Sequence, residues 1–123
     1  MKNFKVGKDL TAILLADSTV HNLVGDKIFP LVADAGTTFP FIVYRRNGYR
    51  PYSNKDYTDE SADIEIAILS DNYIDSVHVA DAVGNALNEK ETETIEEIEI
   101  TNASEEYNSD TYIQKINIRI TIK

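Results

Sequence analysis

Cysteine and tryptophan are missing from the 123 residues, and histidine occurs twice. Without cysteine there can be no disulfide and no thiolate ligand for a metal ion, which fits a chain that folds in a reducing cytoplasm. Basic residues are scarce, since 12 lysines and arginines stand against 21 aspartates and glutamates, a formal net charge of −9. Because an acidic surface repels a phosphate backbone, the composition argues against ordinary nucleic-acid binding.

Long apolar runs are absent as well. The segment Met1–Leu15 holds three lysines and a brief apolar run, which is too short for a signal-peptide core or a membrane span. With 42% hydrophobic and 27% charged residues, the chain has the composition of a globular protein, and its length predicts a single domain over residues 1–123. A domain of this size buries only about two thirds of its unfolded surface, so contact with a partner can add to its stability.

The spacing of apolar residues predicts a broken helix in the first quarter of the chain. The residues at helical spacing are Leu10, Ile13, Leu14, Val20, Leu23 and Val24. Between the two halves, Asp17 and Ser18 are of the types that cap a helix N-terminus. Gly25 suits the C-terminus, because glycine adopts the left-handed conformation without steric cost. A short extended segment, Ile28–Pro30, follows.

Alternation of apolar and polar residues predicts the strands. Ala62–Ile68 alternates most clearly, which directs its isoleucines to a core and Asp63 and Glu65 to water. Phe41–Arg46 is rich in β-branched and aromatic residues and forms a second predicted strand. The polar stretch between them, Asn47–Ser61, is interpreted as a long loop or a loose hairpin.

A helix is predicted after the clearest strand. Its N-cap candidates are Ser70, Asp71 and Asn72, and its apolar side is marked by Ile74, Val77, Ala80, Val83 and Leu87. Gly84 lies inside this helix at a cost of about 1 kcal/mol relative to alanine, which indicates a close approach to a neighbouring backbone.

Two further strands complete the pattern. Thr94–Thr101 carries isoleucines on one face with Ile95 out of phase, as at a bulge, and Tyr112–Ile122 carries four isoleucines on one face. Asn102–Asp110 is interpreted as the turn between them. The order of elements predicts an α+β fold, an antiparallel β-sheet of about four strands with two helical segments packed on one face.

The side chains that could carry chemistry do not form a catalytic or metal-binding set. His21 and His78 fall on predicted helices, where an exposed surface position is the simplest interpretation, and helix capping accounts for Ser18. Four acidic residues lack the glycine turn and the ligand spacing of a calcium loop; they are Asp56, Asp59, Glu60 and Asp63. The sequence therefore predicts neither an enzyme nor a bound cofactor or metal ion.

The segment Arg45–Tyr57, called here the basic aromatic segment, gathers basic and aromatic residues in an otherwise acidic chain. Its candidate interface residues are Arg45, Arg46, Tyr49, Arg50, Tyr52 and Tyr57. Tyrosine and arginine are enriched at the buried centres of protein interfaces, although an ordinary exposed loop fits this composition equally well. Nucleic-acid binding through stacking and phosphate contact fits less well, because the remaining charge opposes it.

Glutamates are concentrated near the fourth predicted strand, in what we call the acidic segment. Its candidate interface residues are Glu93, Glu96, Glu97 and Glu99. Charge along a strand edge discourages stray pairing, which explains the series without any paired-carboxylate chemistry. An acidic body with a basic segment could also dock on itself head to tail, so the two segments are candidates for opposite sides of one contact between copies.

Two short motifs and the elements around them resemble the phage tail-completion family, also called tail terminators. Val24–Pro30 matches the family pattern Val-Gly-x-(Lys or Arg)-Ile-(Phe or Tyr)-Pro, and Pro40–Tyr44 matches Pro-(Phe or Tyr)-(Ile or Val)-Val-Tyr. A helix that opens after Ser-x-x-Tyr, at Ser70–Tyr73, and a closing pair of strands extend the resemblance from about Leu10 to Ile120.

The resemblance implies a structural, non-enzymatic protein of a phage or prophage tail, assembled in the bacterial host cytoplasm. Members of the family form a ring, typically of six copies, that caps the tail tube and joins it to the head. The implied partners are further copies of the chain, the tail tube protein and the head-tail connector protein. DNA would pass through the lumen without being held, and no membrane is involved. The alternative is an acidic adaptor or inhibitor that binds a basic protein partner.

Overall fold

The structure is a computed structural model that describes residues 4–53 and 59–123. These residues form three helices and five strands. In chain order they are α1 (Val6–Ala16), α2 (Ser18–Val24), β1 (Ile28–Pro30), β2 (Phe41–Arg50), β3 (Ser61–Ser70), α3 (Tyr73–Leu87), β4 (Ile95–Asn108) and β5 (Thr111–Ile122).

The five strands make one sheet in the order β1-β2-β3-β5-β4. Strand β1 runs parallel to β2, and the other three neighbouring pairs are antiparallel. The α+β class predicted from the sequence is confirmed. Two details differ: the extended segment Ile28–Pro30 is a fifth strand that makes the sheet mixed, and the break at Asp17 separates two helices, so that there are three in all.

The two motifs that carry the family resemblance lie side by side. Ile28 pairs with Ile42, and Pro30 pairs with Tyr44, in the parallel β1–β2 register. Both motifs place apolar residues in the core, since Val24, Ile28 and Ile42 are all buried. The resemblance therefore rests on residues that form the start of the sheet together.

The core lies between the three helices and one face of the sheet. The alternating isoleucines of β3 and β5 are all buried in it, as are Leu10 and Leu14 of α1. Those isoleucines are Ile64, Ile66, Ile68, Ile116, Ile118, Ile120 and Ile122. Period-2 alternation thus identified the buried face of both strands correctly.

Helix α3 buries a different side from the predicted one. Val83 and Leu87 are buried as predicted, but Ile74 is 56% exposed. Ser76 takes a buried position instead, where its hydroxyl donates to the Tyr73 carbonyl at 2.6 Å. Because that hydroxyl is satisfied locally, a polar residue can face the core and rotate the helix away from its apolar stripe.

Gly84 does not meet a neighbouring backbone. A β-carbon added there would lie 3.9 Å from the Cδ1 atom of Ile100, an ordinary contact with a side chain of β4. The expectation of a close backbone approach was wrong, although the helix does lie against the sheet at this point.

Two predicted loops are partly strand. Strand β2 continues through Asn47 to Arg50, with a register shift between Arg46 and Gly48. Most of the predicted turn Asn102–Asp110 belongs to β4, and the turn itself consists of Ser109 and Asp110, both at positive φ. Two residues at positive φ form a tight type I′ hairpin turn. The sequence did not predict this turn, because the glycine that usually marks it is absent.

Asp17 caps α2 as predicted, because its Oδ1 atom accepts a hydrogen bond from the Val20 amide at 3.0 Å. Replacing it with alanine leaves that amide without its partner, and we expect the free energy of unfolding to fall by about 1 kcal/mol. Chemical denaturation followed by circular dichroism measures this. Asp17→Asn keeps a capping oxygen and should stay close to the parent protein; an equal loss in both variants would show that the charge of Asp17, and not the cap, stabilises the helix.

Candidate functional site

The described part of the basic aromatic segment, Arg45–Ser53, begins in the second half of β2. Strand β1 pairs with β2 only as far as Tyr44. Among the described residues, no strand covers the far side of Arg45–Arg50, so this half of β2 is an open sheet edge. A strand at a sheet edge is a place where another chain can pair.

On the sheet face away from the helices, the arginines of β2 meet carboxylates of β3. The Arg45 Nε atom lies 3.7 Å from a Glu65 oxygen, and an Arg50 terminal nitrogen lies 3.5 Å from Asp63. The second oxygen of Asp63 accepts a hydrogen bond from Arg119 at 2.9 Å, which raises the pKa of that guanidinium further. These are surface ion pairs, which hold side chains in place but add little stability.

On the other face, Arg46 and Tyr49 hold the start of the chain. Arg46 donates to the Phe4 carbonyl at 3.1 Å, and its guanidinium lies 4.7 Å from the centre of the Phe4 ring. Tyr49 meets the same ring edge-on at 5.0 Å, and its hydroxyl hydrogen-bonds to Glu60. These two residues therefore already have contacts within one copy. Sequence analysis missed this cluster because Phe4 is 42 residues distant from Arg46.

Tyr52 and Tyr57 are the two remaining aromatic candidates. The Tyr52 side chain is 62% exposed on the surface beyond the end of β2. Tyr57 lies outside the described residues.

The acidic segment lies at the opposite edge of the sheet. Glu96, Glu97 and Glu99 belong to β4, the outermost strand on that side, and Glu93 directly precedes it; all four are exposed. The register shift between Ile95 and Glu97 is the predicted bulge, and it allows both Ile95 and Ile98 to be buried. Three of the four glutamates thus lie on an edge strand, as predicted, and the role of their charge there stays a prediction.

The strand register places the two segments at the ends of common rows across the sheet. One row runs Arg50, Ser61, Thr121, Glu97, and the next runs Gly48, Asp63, Arg119, Glu99. Three strand spacings, about 14 Å, separate β2 from β4, so a direct pair between the segments within one copy is out of reach. A copy thus presents a basic edge on one side and an acidic edge on the other.

In the part of the chain that the structure describes, no metal-binding group accompanies these edges. His21 and His78 are exposed on their helices, as predicted. Within residues 4–53 and 59–123, no group of three or more histidine, aspartate and glutamate side chains is placed to hold a metal ion. Across the same residues, no helix combines the length and apolar character that a membrane crossing needs.

Comparison with known proteins identifies the family to which the chain belongs. A family model described as "Tail completion protein gp17" matches residues 8–123. The chain belongs to this tail-completion family. Membership confirms the resemblance drawn from Val24–Pro30 and Pro40–Tyr44, and it gives the protein a structural role in a phage tail.

Solved structures support the fold of this family member. Thirteen chains match, among them one from a structure titled "Virion of native gene transfer agent (GTA) particle". That chain is 17% identical and superposes with a TM-score of 0.79, covering 98% of each chain. At this identity the likeness establishes a shared fold. No curated protein sequence matches the chain.

Proposed function

We propose that the protein caps the tail tube as an oligomeric ring, typically of six copies, and supplies the surface that joins the tail to the head. The observation that carries this proposal, within the tail-completion family, is the separation of charge between the two edges of the sheet. A ring needs heterologous contacts, in which one patch meets a different patch on the next copy. A basic edge and an acidic edge on opposite sides of one copy have this arrangement.

In the proposed contact, the open half of β2 faces β4 of the next copy. Arg45, Arg46 and Arg50 then approach Glu96, Glu97 and Glu99, with Tyr49 and Tyr52 beside them and Tyr57 and Glu93 at the ends of the two segments. Charges of opposite sign across an interface steer association and fix its register more than they add affinity. Arg45 and Arg50 keep their guanidinium groups at the surface, since their side chains are 59% and 49% exposed.

The ring would contact the tail tube protein on one side and the head-tail connector protein on the other. DNA would pass through its lumen, where a protein with a net charge of −9 repels the phosphate backbone. The role is non-enzymatic and needs no cofactor or membrane. The protein would be assembled in the host cytoplasm and would remain in the virion tail.

Reversal of charge at the basic edge tests the proposed ring. We expect the parent protein to reach about six times its 13.8 kDa chain mass in light scattering after size exclusion, and to show rings in negative stain. The triple variant Arg45→Glu, Arg46→Glu, Arg50→Glu should be monomeric, because like charges then face each other. A chain that also carries Glu96→Arg, Glu97→Arg and Glu99→Arg should regain the ring.

Asp71→Arg is the matched control. Asp71 is exposed between β3 and α3, outside both charged segments, and reversing its charge should leave the ring intact. Assembly by the triple variant as well as by the parent would contradict the proposed contact. A strict monomer at high concentration that binds a basic protein would favour the acidic adaptor or inhibitor instead.

A further inference from the structure

Two aliphatic side chains directly after β1 project into solvent. Leu31 and Val32, called here the apolar corner, are each 74% exposed. Their backbone is fixed, since the Leu31 amide donates to the Tyr44 carbonyl at 2.8 Å and the Val32 amide to the Pro30 carbonyl at 2.7 Å. Leu31 also has a φ of +66°, a conformation that leucine rarely adopts. A strained backbone that holds two large apolar groups outward indicates a contact that covers them.

The opposite edge of the sheet carries a groove with an apolar floor. The edge groove lies between α3 and β4, has a volume of about 600 Å³, and is floored by Ala80, Gly84, Ile100 and Ala103. Small residues on α3 leave Ile100 39% exposed beside Gly84. The space is open enough to accept aliphatic side chains from outside.

The apolar corner and the edge groove lie at the same height on the sheet. One row of the strand register runs Pro30, Tyr44, Ile66, Ile116, Ala103 across all five strands. Pro30 directly precedes the corner and Ala103 forms part of the groove, about 19 Å away. When copies follow one another edge to edge, the corner of one copy therefore arrives at the groove of the next.

The charges around the two features are complementary. Lys5, Lys8, Arg45 and Arg46 line the surface depression that contains Leu31. The edge groove is lined by Asp81 and Glu105 together with Lys115, and β4 beside it contains five glutamates and no lysine or arginine. The basic rim around the apolar corner therefore complements the mainly acidic surroundings of the groove, whereas two corners placed together would repel each other.

We infer that Leu31 and Val32 of one copy occupy the groove between α3 and β4 of the next copy, as the apolar centre of the contact between subunits. This inference rests on the proposed ring and adds a contact to the charged edges. The corner and groove fix which way round successive copies join, because neither fits itself.

Disulfide trapping tests this contact, and the absence of native cysteine gives it a clean background. In the double variant Val32→Cys, Ala103→Cys, mild oxidation should produce a ladder of cross-linked copies that ends at the ring size. Each single variant should give no cross-linked dimer, because the two positions meet only between different edges. Both replaced side chains are exposed, so the fold should tolerate the changes.

Leu23→Cys, Ala103→Cys is the matched control. Leu23 is another exposed aliphatic residue, on α2, and this pair should remain uncross-linked. A second measurement uses Val32→Asp, which should weaken association by at least roughly tenfold in light scattering, while Leu23→Asp should not change it.

The outcomes separate the inference from the proposed function. Rings that form normally while the cysteine pair gives no ladder would overturn the corner contact and leave the ring intact. A cross-linked dimer from either single variant would show a two-fold contact and would also overturn it. A protein that forms no oligomer at any concentration would overturn the ring and the corner contact together.

Discussion

Replacing Ile66 with alanine is expected to lower the free energy of unfolding by about 2–5 kcal/mol. Ile66 is completely buried in β3, between Tyr44 of β2 and Ile116 of β5. Truncation removes apolar surface from the core and leaves a cavity that rigid strands on both sides cannot close. Against a total stability of about 5–15 kcal/mol, this loss is a large share.

Urea denaturation, followed by circular dichroism, measures the loss at Ile66. Ile100→Ala is the matched control, since it makes the same chemical change in another strand at a side chain that is 39% exposed. We expect the control to lose about 1 kcal/mol or less, because much of that side chain is already in water. Equal losses at the two positions would mean that Ile66 is not at the centre of the core.

Gly25→Ala is expected to destabilise the protein by about 1–3 kcal/mol through the backbone alone. Gly25 ends α2 at a φ of +64° and a ψ of −130°, a region that residues with a side chain strongly avoid. No atom lies within 4 Å of a β-carbon added there, so a clash cannot explain a loss. Its amide also closes the helix, donating to the His21 carbonyl at 2.7 Å.

Thermal unfolding compares this variant with Gly48→Ala. Gly48 lies in β2 outside the positive-φ region, and an added β-carbon would make an ordinary contact, 3.7 Å from Asp63. The control should keep or slightly raise the midpoint temperature, because alanine restricts the unfolded chain more than glycine does. A Gly25 variant as stable as the control would show that α2 can end in another conformation.

Periodicity predicted those parts of the fold in which one face of an element is buried. The isoleucines at alternate positions of β3 and from Ile116 to Ile122 of β5 all reach the core. Strand β1 could not be assigned in this way, because three residues carry no period and its parallel pairing depends on a strand more than ten residues later. The outer part of β4 was not predicted as strand for another reason. Asn102–Asn108 is exposed throughout, so its sequence shows no alternation of apolar and polar residues.

The sequence predicted which types of residue form the candidate site, but not which residues lie opposite one another in the fold. The sequence alone separates a basic aromatic segment from a glutamate-rich one. That Arg50 and Glu97 end the same row depends on the order of the intervening strands, which no local pattern encodes. The apolar corner also went unrecognised, since Leu31 and Val32 resemble core residues in the sequence and only their 74% exposure distinguishes them.

The position of β5 has a consequence for the order in which the domain can fold. It is the fifth strand along the chain, yet it lies inside the sheet between β3 and β4. During synthesis, β3 and β4 cannot reach their final positions until β5, which follows both of them, has been made. Until then, β3 has an unpaired edge and an isoleucine-rich face beside it. Such late, non-local pairing slows folding and exposes the growing chain to aggregation. We therefore expect chaperone dependence to be greatest for nascent chains that extend through β4 but lack β5.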